Sequence, residues 1–109
     1  MEEFIVTTLE HVPGYRVKKV IGVVSGSVVR ARSVGRDIMA GFRNLAGGEI
    51  KEYTELMAES RELAIRRMIE KAKAIGANAV LGMRFSTSAI MSGAAEVMAY
   101  GTAVVLEKE

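Results

Sequence analysis

The sequence has no cysteine and no tryptophan, and its 109 residues include only one proline and one histidine. The absence of cysteine excludes disulfide bonds and thiolate metal sites within one chain. Aromatic residues are also few, with three Phe and three Tyr. The core therefore has to be built mainly from aliphatic side chains and from the seven methionines.

The sequence also lacks long apolar runs and a strong excess of one charge. No apolar run approaches the roughly 20 residues of a membrane-spanning helix. Lys and Arg exceed Asp and Glu by only two, so the composition does not indicate a nucleic-acid partner, which usually needs clustered cations. Residues 1–4 lack the basic and apolar regions of a signal peptide. We expect a cytoplasmic protein without a membrane segment, built as a single domain over residues 1–109.

Several β-prone segments are visible. Residues 4–8 predict a short first strand, and residues 78–87 and 94–107 predict two strands joined by a hairpin turn at 90–93. Residues 15–32 form a longer β-prone run, which would span roughly 60 Å if fully extended. Because a domain of this size is normally shorter, we expect the run to bend or break near Gly22 or at Ser25-Gly26-Ser27.

Two segments have helical spacing. Residues 49–75 place apolar side chains along one side of a long helix, and Gly76 follows as a C-cap glycine. Residues 34–45 carry apolar residues at helical spacing and predict a short helix. The predicted fold class is therefore α+β, with a largely antiparallel sheet, one long helix (about 49–75) and one short helix (about 34–45).

The last predicted strand has two different apolar sides. Its odd positions are small, from Ala95 to Val105, which suits close packing of a helix. Its even positions include Met98, Tyr100, Val104 and Leu106, although a water-facing side should be polar. We expect other copies of the chain to cover this second side. The alternative is that the short helix and the chain ends cover it.

Glycines interrupt the predicted strands at Gly22, Gly82 and Gly101. We expect at least two of them to lie where the long helix crosses the sheet, because a methyl group there would overpack the contact.

Catalytic and metal-binding patterns are weak. A Ser-His-Asp triad would need His11 and Asp37, the single residues of their types, and no G-x-S-x-G motif is present. Ser25-Gly26-Ser27 fits either a small anion nest or a kinked strand. Four acids share one face of the long helix, where they suit either a hard cation or solvent: Glu52, Glu55, Glu59 and Glu62.

Two charged residues, Arg84 and Glu96, lie within otherwise apolar or small β-runs. If their strands pair at this point, the two side chains meet as a cross-strand ion pair.

Six segments taken in order resemble the YbjQ-like family of small bacterial and archaeal proteins. The similarity runs from about residue 5 to residue 105, and the string GGEIKEYTEL from residue 47 is the most distinctive part. The resemblance implies a YbjQ-like, dodecin-subunit-like chain assembled as a ring, most often a pentamer, and it implies a metal ion as a candidate ligand. The six segments are residues 13–17, 22–26, 34–38, 47–54, 76–80 and 93–97.

Some residues in these segments are polar without an obvious structural need, and we predict that they bind a ligand. They are Ser25, Arg36, Asp37, Glu49, Glu52, Tyr53 and Glu96. No catalytic residue, metal ligand or certain cofactor follows from the sequence.

We favour a non-enzymatic, homo-oligomeric binding protein for a small ligand or metal ion. The alternatives are an enzyme with an active site at the subunit interface, built from Ser25, Arg36 and the acids, and a structural or adaptor ring that binds another protein.

Overall fold

The computed structural model describes residues 3–31, 51–91 and 93–109. These ranges contain four strands and one helix, so the α+β class is confirmed. The predicted short helix over 34–45 lies outside the described residues. The elements are β1 (Ile5–Val6), β2 (Tyr15–Ala31), α1 (Lys51–Ala74), β3 (Ala79–Met91) and β4 (Ala94–Lys108).

The four strands form one mixed sheet in the order β1-β3-β4-β2. β3 and β4 make the predicted antiparallel hairpin, in which Met91 pairs with Ala94 and only two residues lie between them. β2 is antiparallel to the other side of β4, whereas β1 runs parallel to β3. The sheet is therefore largely antiparallel, as expected, with one parallel edge.

β2 is a single strand of 17 residues, so of the expected bend or break the run shows no break. The molecule measures 54 × 24 × 19 Å, and an extended strand of 17 residues, about 53 Å between its first and last Cα atoms, fits along the longest dimension. The register with β4 shifts between Val17 and Lys19 and again between Val20 and Gly22. The strand therefore adjusts by bulges, one of them at the predicted Gly22, and Ser25-Gly26-Ser27 stays in regular pairing.

α1 packs on one face of the sheet and forms the main core. Ala64, Met68 and Ala72 are fully buried, and they pack with small residues of β4 such as Ala99 and Ala103. The small odd-numbered side of β4 is therefore the helix side, as its sequence predicts. Among the described residues, no helix combines the length and the apolar character needed to cross a membrane.

The backbones of α1 and β2 come closest at Gly26. A methyl group at this position would overlap the carbonyl oxygen of Ala64 and the amide nitrogen of Met68. Since both are backbone atoms, they cannot move aside without moving the helix. Gly26 is therefore the glycine that the helix crosses.

The prediction that the long helix crosses the sheet at two or more of Gly22, Gly82 and Gly101 is wrong. A Cβ at Gly22 or Gly82 would meet nothing within 4 Å; both have positive φ, 151° and 60°, beside register shifts. Glycine adopts this bulged backbone more easily than any other residue. Gly101 is crowded by the neighbouring strand, because its Cβ would lie 2.5 Å from Val80 Cγ1.

The end of α1 is tied to β4 by a capping motif and an amide side chain. The amides of Gly76 and Ala77 donate to the carbonyls of Lys73 and Ala72, each at 3.0 Å, which is the Schellman arrangement. Asn78 then exchanges two hydrogen bonds with the backbone of Leu106, at 2.7 and 2.9 Å. The helix end predicted at Gly76 is confirmed.

The opposite face of the sheet has a second, smaller core at one end. Leu81, Val104 and Leu106 are buried there, and residues of the N-terminal segment such as Ile5 and Val12 pack against them. The prediction that Val104 and Leu106 need another subunit is therefore wrong, because β1 and the following loop cover this end within the chain.

We predict that Gly26→Ala destabilises the fold by about 3 kcal/mol or more, the upper end of the usual overpacking cost, because the methyl group meets helix backbone. Urea unfolding at fixed protein concentration measures this effect. Ser25→Ala, which changes the adjacent residue on the opposite face, is the matched control and should change the stability by less than about 0.5 kcal/mol. Equal unfolding midpoints for both variants would contradict the close contact.

Candidate functional site

Two of the seven predicted ligand-binding residues have described side chains, Ser25 and Glu96. Another two are described only as backbone of α1, Glu52 and Tyr53. The remaining three lie outside the described residues, namely Arg36, Asp37 and Glu49.

Ser25 and Glu96 lie on the sheet face that points away from α1. Ser25 alternates with Gly26, which meets the helix, and it pairs with Tyr100 of β4. Glu96 lies on the same face of the sheet, four residues before Tyr100 in β4. Because Tyr100 is the partner of Ser25, Ser25 and Glu96 are about 13 Å apart along the strand direction. The helix that carries Glu52 packs on the other face. A shared role of Ser25, Glu96 and Glu52 in ligand binding stays a prediction.

The predicted ion pair between Arg84 and Glu96 is wrong because of the register. Arg84 pairs with Tyr100, whereas Glu96 pairs with Ser88. The guanidinium Nη1 of Arg84 instead donates to the carbonyls of Thr8 and Met83, at 3.0 and 2.8 Å. Arg84 therefore holds the N-terminal segment against β3.

Hydroxyl side chains surround the middle of this open face. Ser27 of β2 and Ser86 of β3 both pair with Met98. Ser25 and Ser88 extend the same two rows. The sequence of β4 alone predicts a mainly apolar surface, because the serines that lie beside Met98 belong to the neighbouring strands β2 and β3.

The exposed apolar residues of this face are concentrated on β2. Val20, Val23 and Val29 are 64%, 79% and 58% exposed. In the described sheet, β2 is an edge strand that pairs with β4 on one side. A long edge strand with exposed valines is a surface on which another strand can pair.

The acids of the long helix whose side chains are described face solvent. Glu55, Glu59 and Glu62 are exposed, and so is His11. Within the described ranges, no group of three or more His, Cys, Asp or Glu side chains is placed to hold a metal ion. The described part of one chain therefore offers no cluster of these metal ligands.

A groove opens where the first turns of α1 meet the β3–β4 hairpin, and its volume is about 200 Å³. The described lining residues are apolar apart from one cation, Arg30 of β2. The sequence reading missed this groove because its parts come from four separate elements of the chain. The lining residues are Arg30, Leu56, Met57, Ala89, Met91, Gly93, Ala94 and Ala95.

A buried serine holds the guanidinium of Arg30. Arg30 Nε donates to Ser60 Oγ at 3.2 Å, and Ser60 Oγ donates to the carbonyl oxygen of Leu56 at 2.7 Å. Ser60 is fully buried. Its spacing of four residues from Ala64, continued by Met68, is the sequence signal that would have found it.

This arrangement defines a class of protein: a small α+β chain whose described part has one helix on a four-stranded sheet, an open groove at one end of the helix and a long edge strand. The chain belongs to the YbjQ family, whose model, described as "Putative heavy-metal-binding", matches residues 4–107.

Close relatives carry the name UPF0145 protein. One from Thermotoga maritima is 62% identical over 104 residues, which are 95% of this chain and 98% of the relative. One from Pyrococcus furiosus is 57% identical over 109 residues, covering 100% and 96%. A solved DUF74-family protein of unknown function from Pediococcus pentosaceus has a TM-score of 0.62 at 18% identity, covering 95% of this chain and 98% of the other. This last similarity shows the fold.

We predict that Ser60→Ala lowers the free energy of unfolding by about 1–2 kcal/mol. The change leaves Arg30 Nε without its acceptor, and the better helix propensity of alanine offsets only a few tenths of this loss. Urea unfolding measures the effect. Ser88→Ala at an exposed position of β3 is the control, and a loss of the same size in both variants would contradict a structural role for the buried hydroxyl.

Proposed function

We propose that this protein is a cytoplasmic homo-oligomer that binds a small ligand or a metal ion without converting it. The observation that carries the proposal is the edge strand β2 with its exposed valines. The described subunit offers both a self-association surface and a groove of small-molecule size, which together suit an oligomeric binding protein.

The exposed valines support self-association energetically. Full burial of a valine side chain stabilises by about 1.5–3 kcal/mol, and Val23 has most of its surface in water. Pairing along β2 also satisfies backbone groups at the sheet edge. A closed ring repeats one such contact around an axis without leaving a free edge.

The number and form of the subunits come from the family resemblance. It supports a pentameric ring of dodecin-like subunits. The apolar spacing over residues 34–45, which lie outside the described part of the chain, separately favours a short second helix. The 54 Å length of the subunit suits contacts with neighbours on more than one side.

The ligand part of the proposal rests on the groove at Arg30 for a small molecule and on the family description for a metal. Because the described part of one chain has no cluster of metal ligands, a metal site in this proposal forms between subunits. Symmetry would bring several copies of one carboxylate together there, and hard cations bind such oxygen ligands.

We predict that the wild-type protein has a mass in solution of about five times the 11.8 kDa of one chain, measured by light scattering at micromolar concentration. Val23→Asp should lower this mass while the circular dichroism stays native, because Val23 is exposed in the single chain and the carboxylate would be buried only on assembly. A monomeric wild type would overturn the proposal.

Lys71→Asp at an exposed position of α1 is the matched control and should keep the wild-type mass. Val104→Asp does not serve this purpose, since Val104 is only 1% exposed within one chain and a charge there would unfold the subunit. An unchanged mass for Val23→Asp would show that β2 is not the assembly surface.

We predict that calorimetric titration of tag-free protein with Zn²⁺ shows no sub-micromolar site at one ion per chain, because the chain has no cysteine and one histidine. Such a site, if it persisted in His11→Ala, would contradict this prediction. A stoichiometry well below one per chain that disappears in Val23→Asp would place the ion between subunits.

A further inference from the structure

We propose that the groove at Arg30 binds a small monocarboxylate with a compact apolar body, such as a ring or a short branched chain. This inference rests on the proposed function and names the ligand class of that groove. Three features of the groove carry it: its size, its apolar walls and its single anchored cation.

The groove is large enough for about nine non-hydrogen atoms of a ligand. A cavity of about 150 Å³ in a protein core holds a benzene molecule. The groove has about 200 Å³, so it has room for a ring and one carboxylate group.

The apolar walls of the groove favour a ligand with an apolar body. Leu56 and Met57 of α1 face the alanines of the hairpin, and Met91 closes one side while 69% exposed. A ligand would remove part of this Met91 surface from water. Methionine side chains also adapt to different apolar shapes.

The one cation among the described lining residues, Arg30, favours a ligand with an anionic group. Arg30 Nε is held by Ser60, which leaves the two Nη groups of the guanidinium, and no described acidic residue forms an ion pair with it. A half-buried cation in apolar surroundings is stabilised by an anion. The planar guanidinium matches a carboxylate and balances its single charge, whereas inorganic phosphate lacks the apolar body that the walls favour.

The test is a titration followed by NMR of ¹³C-methyl-labelled methionines in the intact protein. Met57 and Met91 report on the groove, whereas Met68 in the core and Met98 on the opposite face are internal controls. Benzoate is the probe, and benzyl alcohol, benzylamine and inorganic phosphate are its comparisons. Benzoate should shift the Met57 and Met91 signals at millimolar concentration and leave Met98 unchanged.

Benzoate should bind about tenfold or more tightly than benzyl alcohol, since hydrogen bonds to charged groups are the stronger ones, and phosphate should shift neither groove signal. Arg30→Met should remove the preference for benzoate, and Arg30→Lys should keep part of it. Arg66→Met at an exposed position of α1 is the matched control and should behave as wild type.

Equal affinity of the wild type for benzoate and benzyl alcohol would overturn the inference, as would phosphate shifting the groove signals. Both readings use the wild type, so they hold even if Arg30→Met fails to fold. Light scattering on the same samples separates the two proposals: a monomer that binds benzoate through Arg30 contradicts only the oligomer, and an oligomer that ignores benzoate contradicts only the ligand class.

Discussion

The direct contact between the backbone of α1 and the backbone of β2 at Gly26 determines the rest of the structure. Because Gly26 has no Cβ, the helix approaches close enough for Ala64 and Met68 to be fully buried on the sheet. The same approach brings Ser60 within hydrogen-bonding distance of Arg30, four residues further along β2. The groove is therefore a consequence of the helix crossing.

Side chains of β2 point alternately to the helix side and to the open face, so the two faces of this strand have different surroundings. Residues that flank Gly26 on the helix side, Val24 and Val28, complete the core. The residues just outside this pair, Val23 and Val29, point to the open face and are exposed. One strand thus supplies core residues, the cation of the groove and the exposed valines, so the groove and these valines lie on opposite faces of the same strand.

The open face is itself divided by what covers it. At one end the N-terminal segment packs over Val104 and is held by Arg84, whose guanidinium reaches the carbonyl of Thr8. Nearer the hairpin, the described chain leaves Met98 among serines. Within the described residues, the exposed apolar part of this surface therefore lies mainly on the edge strand and not over the whole face.

The amino-acid sequence by itself determined the α+β class, the hairpin, the end of α1 at Gly76 and the helix-facing side of β4, because capping and alternation act within a few neighbouring residues. Only the tertiary structure decided that the helix meets Gly26 and not Gly101, that Val104 is covered within the chain, and that Arg30 lies beside Ser60. These depend on strand register and on where the helix crosses the sheet, and residues far apart in the sequence set both through packing.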